Sequence, residues 1–296
     1  MVSFRFSTLT GELRSKESPL RQHLVERFPN ASALTNVYAA DIGPLLVEGG
    51  DANAGTVGTA FDVMTRLLLD ITHRPTPFPR TRMWTEQHEK VSARLAAAAV
   101  GALKSTPESD DDFYRACWGL ALLTETYRSI QAWGTSPINF IIYEQDGDMA
   151  AILALAPDAG LRQLEELRRL ANVKLYSQLA TPLVLSPTFY ASALLKADAD
   201  LVAGGTLIDL KVKLGARNRN GERPDALATS AIYQLLGYLF MDTEDEYGIH
   251  DIGIYSARYG RLATWPVDEA LDKLAGHPVQ LDVERQELLW LLQENY

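Results

Sequence analysis

Two aspartates and a lysine are spaced so that they could act together on a metal ion or a phosphate. Asp200 precedes a Gly204-Gly205 pair, and Asp209 and Lys211 follow it. A two-residue Gly-Gly loop suits a type I′ hairpin, so we expect Asp200 and Asp209 to face each other on neighbouring strands. Carboxylates about 5 Å apart repel by roughly 3 kcal/mol at an effective dielectric constant near 20. Because Mg²⁺ with oxygen ligands would relieve this repulsion, the spacing indicates a metal site beside an amine.

Side-chain alternation divides the expected hairpin into two faces. One face carries the charged residues, which are Asp198, Asp200, Asp209 and Lys211, with Asp198 expected opposite Lys211. The other face carries apolar residues, which are Ala199, Leu201, Ile208, Leu210 and Val212. The sequence therefore predicts a core wall on one side of the hairpin and an acidic cluster with one amine on the other.

A basic segment follows the second strand of the hairpin. Residues 211–223 (KVKLGARNRNGER) contain five cations and one acid, Glu222. The cations are Lys211, Lys213, Arg217, Arg219 and Arg223. Since phosphate groups bind lysine and arginine, this segment could hold a nucleic-acid backbone beside the acidic cluster, although a solvated loop is the alternative.

Composition limits the class of protein. The chain has 296 residues, 47% hydrophobic composition and a formal net charge of −10, which argues against a protein that coats nucleic acid nonspecifically. Its single cysteine, Cys117, excludes an internal disulfide and any multi-cysteine metal site, and the five histidines show no ligand spacing. Without a signal-peptide pattern or an apolar run near 20 residues, we expect a soluble, cytoplasmic protein.

Hydrophobic periodicity predicts the elements that must position these residues. Helical patterns cover four segments of the first part of the chain, at 56–70, 85–104, 109–132 and 158–179. The later part predicts, in order, the hairpin within 184–213, a helix over 225–242, a second hairpin from 249–257 and 261–267, and a helix over 282–294. The expected fold is α/β (α+β), with a mainly helical half at 1–160 packed on an α/β core at 161–296 in a single domain.

These residues resemble the PD-(D/E)XK nuclease superfamily, over about residues 182–267. The pattern is Asp200, then Asp209-Leu-Lys211, then a helix with Gln234-Leu-Leu-Gly-Tyr238, whose Q-x-x-x-Y element is similar to that of the RecB-type branch. Ala199 stands where the superfamily's name has proline. The resemblance implies a restriction-endonuclease-like core sheet, Mg²⁺ or Mn²⁺ held by Asp200 and Asp209, and a catalytic Lys211. It also implies that Gln234 and Tyr238 face the site.

The family also has a metal ligand on an earlier helix. Residues 58–62 (GTAFD) look like the Gly and His element of the RecB-type branch, with Asp62 in the histidine position. Aspartate keeps an oxygen ligand suited to Mg²⁺. Glu125, in the helical segment LALLTETYR, is the competing candidate, and its alternative role is a structural partner of Arg128.

The resemblance implies a metal-dependent nuclease that hydrolyses phosphodiester bonds, with DNA as the expected substrate and no membrane partner. Two alternatives remain open at the level of sequence. One is a non-catalytic nucleic-acid-binding or regulatory module that retains the nuclease fold. The other is a structural protein whose helical half binds a protein partner.

Overall fold

The computed structural model describes residues 4, 6, 8–41, 43–73, 84–105, 111–128 and 130–295. The helices are α1 Leu9–Arg14, α2 Pro19–Arg27, α3 Ser32–Ala39, α4 Ala54–Leu69, α5 Glu86–Lys104, α6 Asp111–Arg128, α7 Ile130–Thr135, α8 Pro137–Glu144, α9 Met149–Leu153, α10 Asp158–Lys174, α11 Thr229–Met241, α12 Val267–Ala275 and α13 Leu281–Asn295. The strands are β1 Leu183–Leu185, β2 Leu201–Ala203, β3 Thr206–Lys211, β4 Asp251–Ser256 and β5 Arg261–Pro266.

Contacts divide the chain into two units. The sheet unit consists of Met1–Leu45, Ser177–Lys211 and Gly215–Tyr296, and the helical unit consists of Leu46–Tyr176 and Val212–Leu214. The first three helices therefore belong to the sheet unit, although the long helices α4 to α6 follow them in sequence. The expectation of a single domain stays a prediction.

The sheet unit contains a five-stranded mixed sheet in the order β1-β2-β3-β4-β5. Within this described sheet, β3 and β4 form the one parallel pair, with Lys211 paired to Ser256 at their carboxyl ends. The connection between them contains α11, since parallel strands need a crossover. The expected α/β fold with a mainly helical first half is confirmed.

The first hairpin forms in the predicted register. Leu201 pairs with Ile208, and Ala203 pairs with Thr206. Gly204 and Gly205 have φ angles of 53° and 83°, which a type I′ turn requires. The hairpin is confirmed, and β1 adds a third antiparallel strand on its outer side.

Helix α11 lies in the core of the sheet unit. Every residue from Ala231 to Met241 except Gln234 is buried. A helix that is apolar on nearly all sides needs partners on all sides, and α11 contacts β3, β4, α1 and α13. Gly237 permits the close approach of α1, because a Cβ atom there would lie 2.9 Å from Leu9 Cδ1.

The helical unit packs α6 against α4 and α5. Asn53 begins α4 by accepting hydrogen bonds through Oδ1 from the backbone of Gly55 and Thr56, at 2.9 and 3.1 Å. Residues 109, 110 and 129 of the predicted helix 109–132 lie outside the described residues. Among the helices that the structure describes, none has the length and apolar character needed to span a membrane.

Three predictions of secondary structure are wrong. The helix expected over 158–179 ends at Lys174 and is followed by a 3₁₀ turn at Tyr176–Gln178. The helix expected from residue 225 begins at Thr229, because the buried Asp225 carboxylate instead accepts hydrogen bonds from the hydroxyls of Tyr38 and Ser256. The expected order β-β-α-β-β-α is also incomplete. The structure has three strands before α11 and two helices after β5.

Candidate active site

Strand β3 places the candidate catalytic residues at the margin of the hydrophobic core. Leu207, Asp209 and Lys211 share one face of β3 because side chains alternate along a strand. Leu207 is fully buried in the core around α11, and Asp209 is 3% exposed. The opposite face is apolar as predicted, and Ile208 on it is 1% exposed. The charged face is therefore not separate from the core, since the strand is buried on both sides around Asp209.

Lys211 connects the sheet to α11. Its Nζ lies 2.6 Å from Oδ2 of Asp209 and donates a hydrogen bond to Oε1 of Gln234 at 3.1 Å. The side chain of Lys211 is 32% exposed, whereas that of Asp209 is 4% exposed. The Lys211 side chain therefore contacts the buried Asp209 carboxylate and is also partly exposed to solvent.

Asp209 has an unusual electrostatic environment. Burial raises the pKa of its carboxyl group to about 6, the charge of Lys211 opposes this rise, and the charge of Asp200 adds to it. Oδ2 of Asp209 is buried and lacks a well-aligned hydrogen bond, although the Lys211 ammonium is close. The contact is an ion pair, because opposite charges 2.6 Å apart attract each other in any orientation of the N–H groups.

Asp200 lies beside the end of the β2–β3 pairing. Its Oδ2 accepts a hydrogen bond from the backbone N–H of Leu210 at 2.6 Å. The backbone pairing of β2 with β3 ends at Leu201 and Ile208. Beyond that pair, the N–H of Leu210 bonds to the Asp200 side chain instead of to a backbone oxygen of the opposite strand. The expected continuation, with Asp200 opposite Asp209 and Asp198 opposite Lys211, is therefore wrong as regular strand pairing. Even so, Asp200 remains close enough to Asp209 for its charge to raise the pKa of that group.

Gln234 and Tyr238 extend the polar contacts along α11. Nε2 of Gln234 donates to the hydroxyl of Tyr238 at 2.9 Å, while its Oε1 accepts from Lys211. Burial, followed by the charges of Asp200, Asp209 and Asp198, raises the pKa of Tyr238. The four residues Asp209, Lys211, Gln234 and Tyr238 thus form a continuous chain of polar contacts, which we call the β3–α11 relay.

The donor set of the site suits Mg²⁺ or Mn²⁺. Asp200 and Asp209 provide two carboxylates that are close enough for the charge of Asp200 to raise the pKa of Asp209. Magnesium is commonly bound by one or two carboxylates together with waters and substrate phosphates. In the described ranges, no group of three or more His, Cys, Asp or Glu side chains is arranged to hold a metal ion.

The candidates for an upstream ligand lie in the helical unit. Both oxygens of Asp62, in α4, contact Arg66 one turn later, at 2.9 Å from Nε and 2.8 Å from a terminal nitrogen. Burial raises the pKa of Glu125, in α6, and a hydrogen bond with Thr56 opposes the rise. The assignment of either residue as a metal ligand stays a prediction.

The basic residues after β3 differ in their surroundings. Lys213, Arg217 and Arg219 are exposed. Arg223 is partly buried, and its guanidinium donates to the backbone oxygen of Gly215 at 2.9 Å. Their contact with nucleic acid stays a prediction.

Sequence reasoning did not identify two aromatic residues near these groups. The ring of Phe189 stacks on Tyr238, with centroids 6.0 Å apart and an interplanar angle of 26°. The hydroxyl of Tyr259 contacts the basic segment at Gly215 and Arg223. Tyr259 lies between the two arms of the second predicted hairpin, a position that indicated only a turn.

Comparison of the chain with protein-family models, curated proteins and solved structures found no match. The class of protein must therefore be argued from the geometry of the site and from the motifs.

Proposed function

We propose that the chain is a divalent-metal-dependent nuclease that hydrolyses phosphodiester bonds in DNA. The observation that carries the proposal is the β3–α11 relay, in which one lysine is held between a buried carboxylate and a helix amide. The resemblance of the same residues to the PD-(D/E)XK nuclease pattern also supports it.

Asp200 and Asp209 are the residues that would hold Mg²⁺ or Mn²⁺. When bound, such an ion supplies Lewis-acid stabilisation of phosphate charge and lowers the pKa of water. Without a cation, the negative charge of the two carboxylates would repel a substrate phosphate, so a bound metal ion would offset this repulsion. Because burial raises the pKa of Asp209, metal binding by this residue should strengthen as the pH rises.

Lys211 stabilises the negative charge that develops on the phosphate oxygens during attack. A fixed cation is effective because it does not have to reorganise when the charge appears. Asp209 and Gln234 fix the ammonium from two sides, at 2.6 and 3.1 Å. Gln234 therefore acts as a positioning residue, and Tyr238 acts on Lys211 through Gln234.

A non-catalytic nucleic-acid-binding module is the second candidate. The observation that favours it is the lack, in the described residues, of a group of three metal-ligating side chains. Plasmid and linear DNA incubated with Mg²⁺ or Mn²⁺ distinguish the two. If the chain is a nuclease, the wild type cleaves at least one of these substrates and the Asp209→Ala variant cleaves neither. DNA binding without cleavage by the wild type would favour the second candidate.

A further inference from the structure

The basic segment after β3 is folded by its own hydrogen bonds, although it contains no helix or strand. The backbone N–H of Asn218 donates to the oxygen of Glu222 at 2.8 Å, and that of Gly221 donates to the oxygen of Asn218 at 3.0 Å. Oδ1 of Asn218 accepts from the backbone of Asn220 and Glu222, at 2.9 and 3.0 Å. Gly221 has a φ angle of 83°, which favours glycine. The tip of the segment is therefore a fixed turn.

The two ends of this turn are joined by Tyr259. Its hydroxyl accepts a hydrogen bond from the N–H of Gly215 and donates one to the oxygen of Arg223, both at 2.9 Å. The Arg223 guanidinium donates to the oxygen of Gly215 and closes the same base. A Cβ atom at Gly215 would lie 1.8 Å from the oxygen of Pro224, so only glycine fits there. We call residues 215–223 the clamped loop.

The clamped loop begins close in sequence to Lys211 and at the same sheet edge. Lys211 pairs with Ser256 in parallel strands, and Ala257 donates its N–H to the oxygen of Lys211 at 2.8 Å. The carboxyl ends of parallel strands lie at one edge of a sheet, where ligands of open α/β sheets bind. Tyr259 follows Ser256 by three residues, so the clamp is anchored at the edge where Lys211 ends β3.

Two arginines project from the clamped loop without a counter-charge. Arg217 and Arg219 are exposed, and neither guanidinium forms an ion pair within the part of the chain that the structure describes. The acid of the loop, Glu222, instead accepts a hydrogen bond from Nδ2 of Asn218 at 3.0 Å. The loop therefore presents two positive charges on a backbone that is already ordered.

We propose that the clamped loop is a preformed site for the phosphate backbone of the DNA substrate. Arg217 and Arg219 bind phosphates, and Tyr259 is a positioning residue that holds the loop in its binding conformation. Guanidinium groups suit this task because their donors match phosphate oxygens in pairs. A loop ordered before binding loses less conformational entropy when DNA arrives. The inference takes its ligand from the proposed function and adds where that ligand is held.

The test measures binding separately from cleavage. Fluorescence anisotropy of a labelled short duplex, in EDTA and over a series of NaCl concentrations, gives the affinity and its salt dependence. Combined Arg217→Ala and Arg219→Ala substitutions should weaken binding about tenfold or more and reduce the slope of log K against log[salt] by about 2, because each lost phosphate contact removes about 1. The matched control combines Arg162→Ala and Arg169→Ala, which remove two exposed arginines from α10 and should leave the slope unchanged.

Tyr259→Phe tests the positioning role without changing charge. It should weaken binding about threefold to tenfold and reduce the salt slope, an effect that a purely structural tyrosine would not have. Gly221→Ala is a second variant, since it strains the turn while open space surrounds the added methyl group. It should have the same effect on the slope even if Tyr259→Phe folds poorly.

The outcomes separate this inference from the proposed function. The clamped-loop site would be overturned if the double substitution in the loop weakened DNA binding no more than the control double substitution in α10. It would also be overturned if the wild type bound no DNA. If the loop substitutions weaken DNA binding but the wild type does not cleave DNA in Mg²⁺ or Mn²⁺, the result would support the site and contradict the nuclease activity.

Discussion

Asp209 and Lys211, two residues apart on one strand, form an ion pair of 2.6 Å in which the aspartate is buried and the lysine reaches solvent. Taking a carboxylate out of water disfavours its charged form, and the nearby ammonium only partly compensates. This balance explains why the pKa of Asp209 remains above its ordinary range despite a cation in contact. The folded protein therefore holds the Asp209 proton more tightly than an exposed aspartate would.

Asp209→Asn should change the pH dependence of stability in metal-free buffer. The folded protein holds the Asp209 proton up to a pKa of about 6, against the ordinary 3.8, so folding favours protonation. The wild type therefore loses stability from this group as pH rises from about 4 through 6, by at most about 3 kcal/mol.

Asparagine does not titrate. The unfolding free energy of the variant should therefore equal that of the wild type below about pH 4 and exceed it above about pH 6. Urea unfolding at a series of pH values measures this difference. A difference in unfolding free energy that stays constant with pH would show that Asp209 does not have a raised pKa.

Mg²⁺ or Mn²⁺ should raise the melting temperature of the wild type, because an ion that binds only the folded protein stabilises it. At 100 times the dissociation constant the gain is about 2.7 kcal/mol, or roughly 4 to 5 °C for a chain of this length. Combined Asp200→Ala and Asp209→Ala substitutions should abolish the rise in a thermal scan. Asp268→Ala with Glu269→Ala, which removes two exposed acids from α12, should preserve it. No rise in the wild type would exclude a metal site of useful affinity.

Gln234 and Tyr238 should act on cleavage as one unit. Gln234→Met removes the acceptor of the Lys211 hydrogen bond and should lower kcat about tenfold, the value of one such bond. Tyr238→Phe should lower kcat about threefold, because Tyr238 acts only through Gln234. The double variant should be no slower than Gln234→Met alone, since coupled residues are not additive. Full additivity in steady-state rates would refute the relay.

The sequence predicted local features well because local residues determine them. The Gly204-Gly205 turn and the alternation around it set the register of β2 and β3. The same alternation placed Asp209 and Lys211 on one face. A spacing of four residues placed Gln234 beside Tyr238 on α11.

The sequence could not predict features that depend on distant contacts. The start of α11 at Thr229 follows from hydrogen bonds between Asp225 and Tyr38, which is 187 residues away, and between Asp225 and Ser256. The burial of Asp209 depends on α11 covering the same face of β3. The hydrogen bond from the backbone of Leu210 to the Asp200 carboxylate depends on the side-chain conformation of Asp200, which no local pattern specifies.

The most direct test of the nuclease proposal is the rate of phosphodiester cleavage of a labelled DNA duplex in Mg²⁺ or Mn²⁺. The account predicts metal-dependent cleavage by the wild type and by Asp268→Asn, which changes an exposed acid elsewhere. Asp209→Asn and Lys211→Ala should each lower the rate by about 10²- to 10³-fold or more while keeping the fold, as judged by circular dichroism. Cleavage by either variant at the wild-type rate, or a folded wild type that cleaves no DNA with either metal, would contradict it.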